Sequence, residues 1–251
     1  MKIIKYKGFK HFADRDPKRP IKYLVVHSFA LTIRDMIKVC NELGVGPHYI
    51  IGEKGNIIQL VPENKTAWHA GKSFWRGEES LNGASVGIEL QNRTLGQTKY
   101  PDAQMKAFVA LAKSIMKRHK ILPQNVVGHS DVAPTRKADP GIRFPWAEVA
   151  KYGIGVWPKE GAKVASRAQV GTLLKRIGYD TTDEKAALYS FMRRFMPDMV
   201  SVDKDIKHIE ENLPGYIAKV TPADKKVYQR LCIVAGAYAN QCRPAVRKRQ
   251  R

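Results

Sequence analysis

The sequence predicts an α/β domain followed by a small all-α bundle. Three observations carry this: strand-like and helix-like segments alternate up to about residue 150, only helix-period patterns follow, and a loop-like stretch, Tyr152-Gly153-Ile154-Gly155-Val156-Trp157-Pro158, separates the two. The expected division is 1–157, 158–242 and a basic tail, 243–251. At 251 residues there is room for one ordinary domain and a small second one.

Ile21-Lys22-Tyr23-Leu24-Val25-Val26-His27 is rich in β-branched and aromatic residues, which predicts a buried strand ending at His27. Thr32 with Asp35 three residues on has the form of a capping box, opening a helix that stops near Leu43-Gly44. Residues 48–52 and 56–61 read as a hairpin around Glu53-Lys54-Gly55, and Val86–Leu90 as a further strand. From Pro101 the apolar positions Met105, Phe108, Val109, Ala112, Ile115 and Met116 follow helical spacing, with Lys106, Lys113 and Lys117 outside. Asn125-Val126-Val127-Gly128 is a strand that delivers His129.

Beyond the loop come three amphipathic stripes. The first, Val170, Leu173, Leu174 and Ile177, is closed by Gly178; the second, Leu188, Phe191, Met192 and Phe195, follows a Thr181/Glu184 capping box. The third, Val227, Leu231, Val234 and Tyr238, is introduced by Thr221-Pro222-Ala223-Asp224.

Hydrophobic residues at 43% and charged residues at 27% are normal for a soluble globular protein and offer no support for a disordered chain. The net charge of +21 divides into +12 over residues 1–155 and +9 over 156–251, an even excess suited to a polyanionic partner: nucleic acid, anionic lipid or anionic wall glycopeptide. No apolar run is long enough to span a membrane, and the first residues lack the apolar stretch of a secretory signal, so the chain either stays inside or has its leader elsewhere. Cys40, Cys232 and Cys242 form no disulfide framework, although Cys232 and Cys242 have the separation for a bridge in an oxidising compartment.

The chemistry gathers in Gly128-His129-Ser130-Asp131-Val132-Ala133-Pro134-Thr135-Arg136-Lys137-Ala138-Asp139-Pro140-Gly141, a strand end running into a polar loop. His129 and Asp139 are ten positions apart, so one loop can fold both onto an ion, and His27 can supply a third ligand. Two imidazoles and a carboxylate suit catalytic zinc, because they leave the fourth tetrahedral position for water. A hydrolase also needs a carboxylate to shuttle the proton and a cation for the oxyanion. Glu89, facing opposite Val86, Ile88 and Leu90, and Lys137, two residues before Asp139, are the candidates.

His27, the Trp68-His69-Ala70-Gly71 element, Asn82 with Ser85-Val86-Gly87-Ile88-Glu89-Leu90, and the His129–Gly141 loop together resemble the AmpD/AmiD group of zinc-dependent N-acetylmuramoyl-L-alanine amidases, relatives of phage T7-type lysozymes and peptidoglycan recognition proteins. The resemblance spans roughly residues 20–150. It implies a mixed β-sheet flanked by helices, Zn2+ on His27, His129 and Asp139, Glu89 as acid/base, and Lys137 as transition-state stabiliser. It also implies hydrolysis of the lactyl amide between N-acetylmuramic acid, or its anhydro form, and L-alanine, in peptidoglycan or in muropeptides. Leu173–Asp180 and Phe191–Pro197 resemble, more loosely, the peptidoglycan-binding-like C-terminal module of AmiD-type enzymes. That architecture favours the cell envelope; the missing signal favours the cytoplasm, where AmpD-like enzymes work on anhydro-muropeptides.

Alternatives stand beside these readings. Trp68 and His69 either pack their loop or line a groove and meet sugar or peptide. Tyr49 is either core or, as in related enzymes, close to the metal. Asn82 and Arg136 are candidate substrate contacts, His48 a hydrogen-bonded structural residue, and His11, His119 and His208 surface residues. A non-catalytic recognition protein would use the same groove but commonly lacks one ligand, whereas this chain has all three. Residues 243–251 read as a solvated tail, because no nucleic-acid motif accompanies them.

Overall fold

The computed structural model describes residues 2–159, 167–200, 208–221 and 224–241; the basic tail, Cys242 and Pro222-Ala223 lie outside the described residues. In chain order the first part runs β1 (Ile3–Lys5), β2 (Phe12–Asp14), β3 (Tyr23–Phe29), α1 (Ile33–Leu43), β4 (Tyr49–Ile51), β5 (Ile57–Gln59), β6 (Lys65–Ala67), β7 (Phe74–Trp75), β8 (Glu78–Glu79), β9 (Ser85–Gln91), α2 (Asp102–His119), β10 (Val126–Gly128), α3 (His129–Val132) and α4 (Trp146–Ala150). Helices α5 (Val170–Ile177), α6 (Glu184–Phe195), α7 (Leu213–Ala218) and α8 (Lys225–Gln241) follow.

The central sheet is mixed, with strand order β1-β5-β4-β9-β3-β10; only the β4–β5 hairpin pairs antiparallel. β3 is buried at every position, as expected for a central parallel strand covered on both faces. Strand alternation sorts the side chains. Leu24, Val26, Val86, Ile88, Leu90, Tyr49 and Ile51 pack with Phe108, Leu111, Ala112 and Ile115 of α2. Ile50 and Phe29 share a cluster with Cys40 of α1, on the other face.

The helix signals hold with two corrections. Thr32 Oγ1 accepts from Asp35 N at 3.2 Å and Gly44 closes α1 in the left-handed region. The second capping residue, however, is Asp183, whose carboxylate accepts from Ala186 N (2.9 Å), rather than Thr181. At α8 Asp224 accepts from Lys226 N (2.7 Å) and Val227 N (3.2 Å), the role expected of Thr221. In both cases the aspartate directly before the helix, rather than the threonine two or three positions further back, stands at the N-cap position from which a side-chain oxygen reaches the free N–H groups. Strands of two or three residues (β1, β2, β6, β7, β8) are too short to give a period in sequence. Cys40 and Cys232 are buried free thiols.

One buried cluster joins the helical part to the sheet: Val25, Val127 and Trp75 pack in the same core as Leu173, Leu174, Phe191, Leu231 and Tyr238. Polar contacts run alongside it. Ser190 Oγ donates to Ser130 O (2.8 Å), Arg193 to Ala138 O (2.7 Å), and both Tyr179 OH (2.8 Å) and Arg194 (2.5 Å) to the Asp131 carboxylate.

Candidate active site and metal centre

Three adjacent parallel strands build the site at their C-terminal ends. His27 lies directly opposite Glu89 in the β3–β9 pairing, and Gly128, the last residue of β10, pairs with Val26, so His129 emerges level with His27. The loop after α3 then returns: Asp139 O accepts from Ser130 N at 2.8 Å, which sets the Asp139 carboxylate beside the His129 ring. Residues far apart in the chain converge because strand register, not sequence distance, fixes their level.

His27 Nδ1 and His129 Nδ1 are 3.0 Å apart, and each is 3.2 Å from Asp139 Oδ2. These ligand atoms form the group of His, Cys, Asp and Glu that can hold a metal ion among the described residues. Exposures of 1%, 6% and 9% for His27, His129 and Asp139 show that the donor set is preformed and nearly dry. Its chemistry fits a divalent cation. His129 Nε2 lies 3.2 Å from Ala70 O, an atom that only accepts, so that nitrogen carries the proton and the Nδ1 of the neutral ring presents a lone pair. Two facing imidazole nitrogens and a carboxylate repel one another unless a positive charge lies between them.

The electrostatics agree. Burial, followed by the neighbouring His129, brings the His27 pKa down to about 4, which leaves it neutral and able to coordinate. For Asp139 burial alone would favour the protonated acid, but His129 and His27 hold the carboxyl well below the usual range. Glu89 moves the other way: burial, then repulsion from Asp139, raise it well above the ordinary carboxylate value. Its Oε2 is buried with no hydrogen-bond partner among the described residues, an arrangement suited to a group that exchanges protons with something absent from the protein itself.

A cleft of about 360 Å³ opens over this cluster, and Trp68, His69, Asn82, Glu89, Arg136, Lys137 and Glu210 all line it. Trp68 is 39% exposed there. Lys137 Nζ donates to Glu210 Oε2 at 2.8 Å, so the helical part supplies a wall of the cleft. Sequence reasoning missed Glu210: it sits in a turn before α7 with no motif around it.

Other expected residues have more specific placements. Tyr49 is not brought to the cleft. Its ring is buried on the α2 face of the sheet, and its hydroxyl donates to Glu63 Oε1 at 2.6 Å. Strand parity is the reason: Tyr49 pairs with Ile88, whereas its neighbour Ile50 pairs with Glu89. Asn82 Oδ1 accepts from the backbone N–H groups of His69 (3.0 Å) and Ala70 (2.7 Å), and Arg136 donates to Ala70 O and Lys72 O (2.7 Å). Both therefore brace the Trp68–Lys72 segment as well as facing the cleft. His48 is fully buried, its Nδ1 accepting from Gly87 N at 3.0 Å. His119 is not a free surface residue, since Nε2 lies 2.5 Å from Glu63.

Comparison with known proteins follows the same outline. Residues 17–142 match the family described as N-acetylmuramoyl-L-alanine amidase. The chain is 37% identical over 216 residues to N-acetylmuramoyl-L-alanine amidase AmiD of Escherichia coli (strain K12), covering 74% of this chain and 78% of that protein. It is 41% identical over 105 residues to 1,6-anhydro-N-acetylmuramyl-L-alanine amidase AmpD of Enterobacter cloacae, covering 42% of this chain and 55% of that one. Among solved structures, E. coli AmiD in complex with the substrate anhydro-N-acetylmuramic acid-L-Ala-D-gamma-Glu-L-Lys is similar with a TM-score of 0.69 and 31% identity, over 91% of this chain and 93% of that one. AmpDh3 from Pseudomonas aeruginosa in complex with anhydromuramic pentapeptide gives 0.70 and 26%, over 96% and 99%.

Proposed function

Since the chain belongs to the family of N-acetylmuramoyl-L-alanine amidases, we propose that it hydrolyses the lactyl amide of muramoyl peptides with a zinc ion held by His27, His129 and Asp139. Zinc held by these three residues would supply a Lewis acid for the amide hydrolysis. The observation that carries the reading is the convergence of three buried ligand atoms beneath a cleft that also holds Glu89 and Lys137.

Glu89 takes the proton of the attacking water and then delivers it to the departing L-alanine nitrogen. Its buried, unpartnered oxygen suits both halves of that transfer. Lys137 donates to the oxyanion that develops on the lactyl carbonyl, and Trp68 offers an aromatic face to the sugar or peptide. The basic surface draws in the carboxylates of the stem peptide. Likeness to AmiD over 74% of the chain, against 42% for AmpD, favours wall material in the cell envelope as substrate, with the helical part engaging the surrounding wall. No helix among the described residues is long and apolar enough to cross a membrane.

The test is product analysis by mass spectrometry after incubation with intact sacculi and with soluble anhydro-muropeptides. Release of the stem peptide with a free L-alanine amine is expected, with loss on chelation and recovery on adding zinc. Glu89→Gln should lower kcat by about 10²–10⁴ while still binding zinc; full activity in that variant removes Glu89 from the mechanism.

A further inference from the structure

Both imidazoles of the proposed metal centre turn their outer nitrogens to one tetrapeptide, Trp68–Gly71. His129 Nε2 meets Ala70 O at 3.2 Å, and His27 Nε2 meets His69 Nδ1 at 3.0 Å. For His27 to offer its Nδ1 lone pair inward, Nε2 must carry the proton and find an acceptor. His69 provides one when its own proton sits on Nε2, and that nitrogen has an outlet in Ser85 Oγ at 3.1 Å. The hydrogen bonds thus run in one direction, from His27 through His69 to Ser85.

The tetrapeptide is built to stay where it is. Asn82 Oδ1 receives two of its N–H groups, Arg136 caps Ala70 O, and Trp68 O accepts from Gly46 N at 2.9 Å. The sheet beneath is hollowed to fit: a Cβ on Gly87 of β9 would stand 2.5 Å from His69 Cγ. A residue that served only to pack its loop would need neither the glycine below nor hydrogen bonds at both ring nitrogens.

We propose that Trp68–Gly71 is an outer shell that fixes the tautomer and ring orientation of both histidine ligands, and that His69 and Asn82 are positioning residues for the metal rather than substrate contacts. This rests on the metal assignment made above. Partners of this kind typically alter metal affinity by about 10–100-fold.

Zinc affinity of the full-length protein is measured by competition with a chromophoric chelator, alongside visible spectra of the cobalt(II)-substituted protein. His69→Ala is expected to weaken zinc binding by about 10–100-fold and to shift the cobalt bands. His69→Asn, whose Oδ1 can stand near the lost Nδ1, restores part of the affinity. Asn82→Ala, which touches neither ligand, weakens binding by about tenfold. Wild-type affinity and an unchanged cobalt spectrum in His69→Ala overturn the proposal; if that variant does not fold, unchanged affinity in Asn82→Ala does so alone. His27→Ala separates the two readings. Should it bind zinc like the wild type, the metal site itself is misassigned, whereas loss of zinc in His27→Ala alone refutes only the outer shell.

Discussion

Lys137 meets a carboxylate in the resting protein, and the two side chains differ in what they are expected to do. Lys137→Ala should lower kcat by about 10²–10³ with zinc content unchanged. Glu210→Gln removes a partly exposed ion pair worth no more than about 1 kcal/mol, so kcat/KM should move by less than about sixfold. Steady-state kinetics on one muropeptide distinguishes them, and a large loss in Glu210→Gln would make that carboxylate part of the chemistry. Two residues outside the proposed metal centre also contribute to the pH dependence of stability. Burial, with Arg15 beside it, lowers His48 to about 3 from an ordinary 6.5. Between these values the unfolded chain binds a proton that the folded one refuses, so the His48 contribution is full above about pH 6.5 and shrinks as pH falls toward 3. For Glu63 burial works upward, but hydrogen bonds from Arg118, Tyr49 and His119 bring it down to about 2 from 4.5, and its contribution is lost as pH falls through that lower window. Both contributions diminish on acidification, so the two act in the same direction. Urea denaturation from about pH 7 to about pH 4 should show a falling midpoint, with a shallower fall in His48→Gln. At this scale the meeting of His27, His129 and Asp139 beside Glu89 was readable, because alternation in one strand places Glu89 away from its apolar neighbours. Tyr49 was not, since its face depends on which residue of β9 it pairs with, a fact set by tertiary register.

Among the elements, α6 and the loop from α3 to Asp139 act as one piece. Asp131 receives Arg194, Tyr179 and the Gly128 N–H, and the Arg194 guanidinium stacks 3.8 Å over the Trp146 ring. Replacing Arg194 by Met strands a buried carboxylate and should destabilise the fold by about 3–5 kcal/mol. A thermal shift of several degrees, accompanied by weaker zinc binding, is the expected result. Wild-type stability in Arg194→Met would mean that Asp131 finds another partner. The long elements were legible because α1, α2, α6 and α8 carry enough turns for a helical period to stand out. Their caps were less so. Thr181 and Thr221 have capping-type side chains, yet Asp183 and Asp224, two and three positions further on, accept from the open N–H groups, and a choice between such nearby acceptors is made by backbone geometry.

Over the whole molecule, the division expected at residue 157 and the continuity of the core describe different things. The change from alternating elements to helices is plain in the sequence, but that Leu173, Phe191 and Tyr238 share a cluster with Val25 and Val127 is not, because sequence patterns show that a helix has an apolar face without saying what covers it. Calorimetry is expected to give a single unfolding transition, with zinc raising its midpoint through binding to the folded form alone. Two resolved transitions would show that the helices and the sheet melt independently. Ser190, Arg193 and Arg194 fasten α6 onto the loop that runs from Ser130 to Ala138, which bears on how an amidase of this family meets a polymer. A reader on a slack leash samples many bonds around its anchor point. On the proposed function, anything the helices held along a strand of wall would sit at a set span from the bond in the cleft, and the grip would act as a gauge of which linkage along the polymer is presented for cutting.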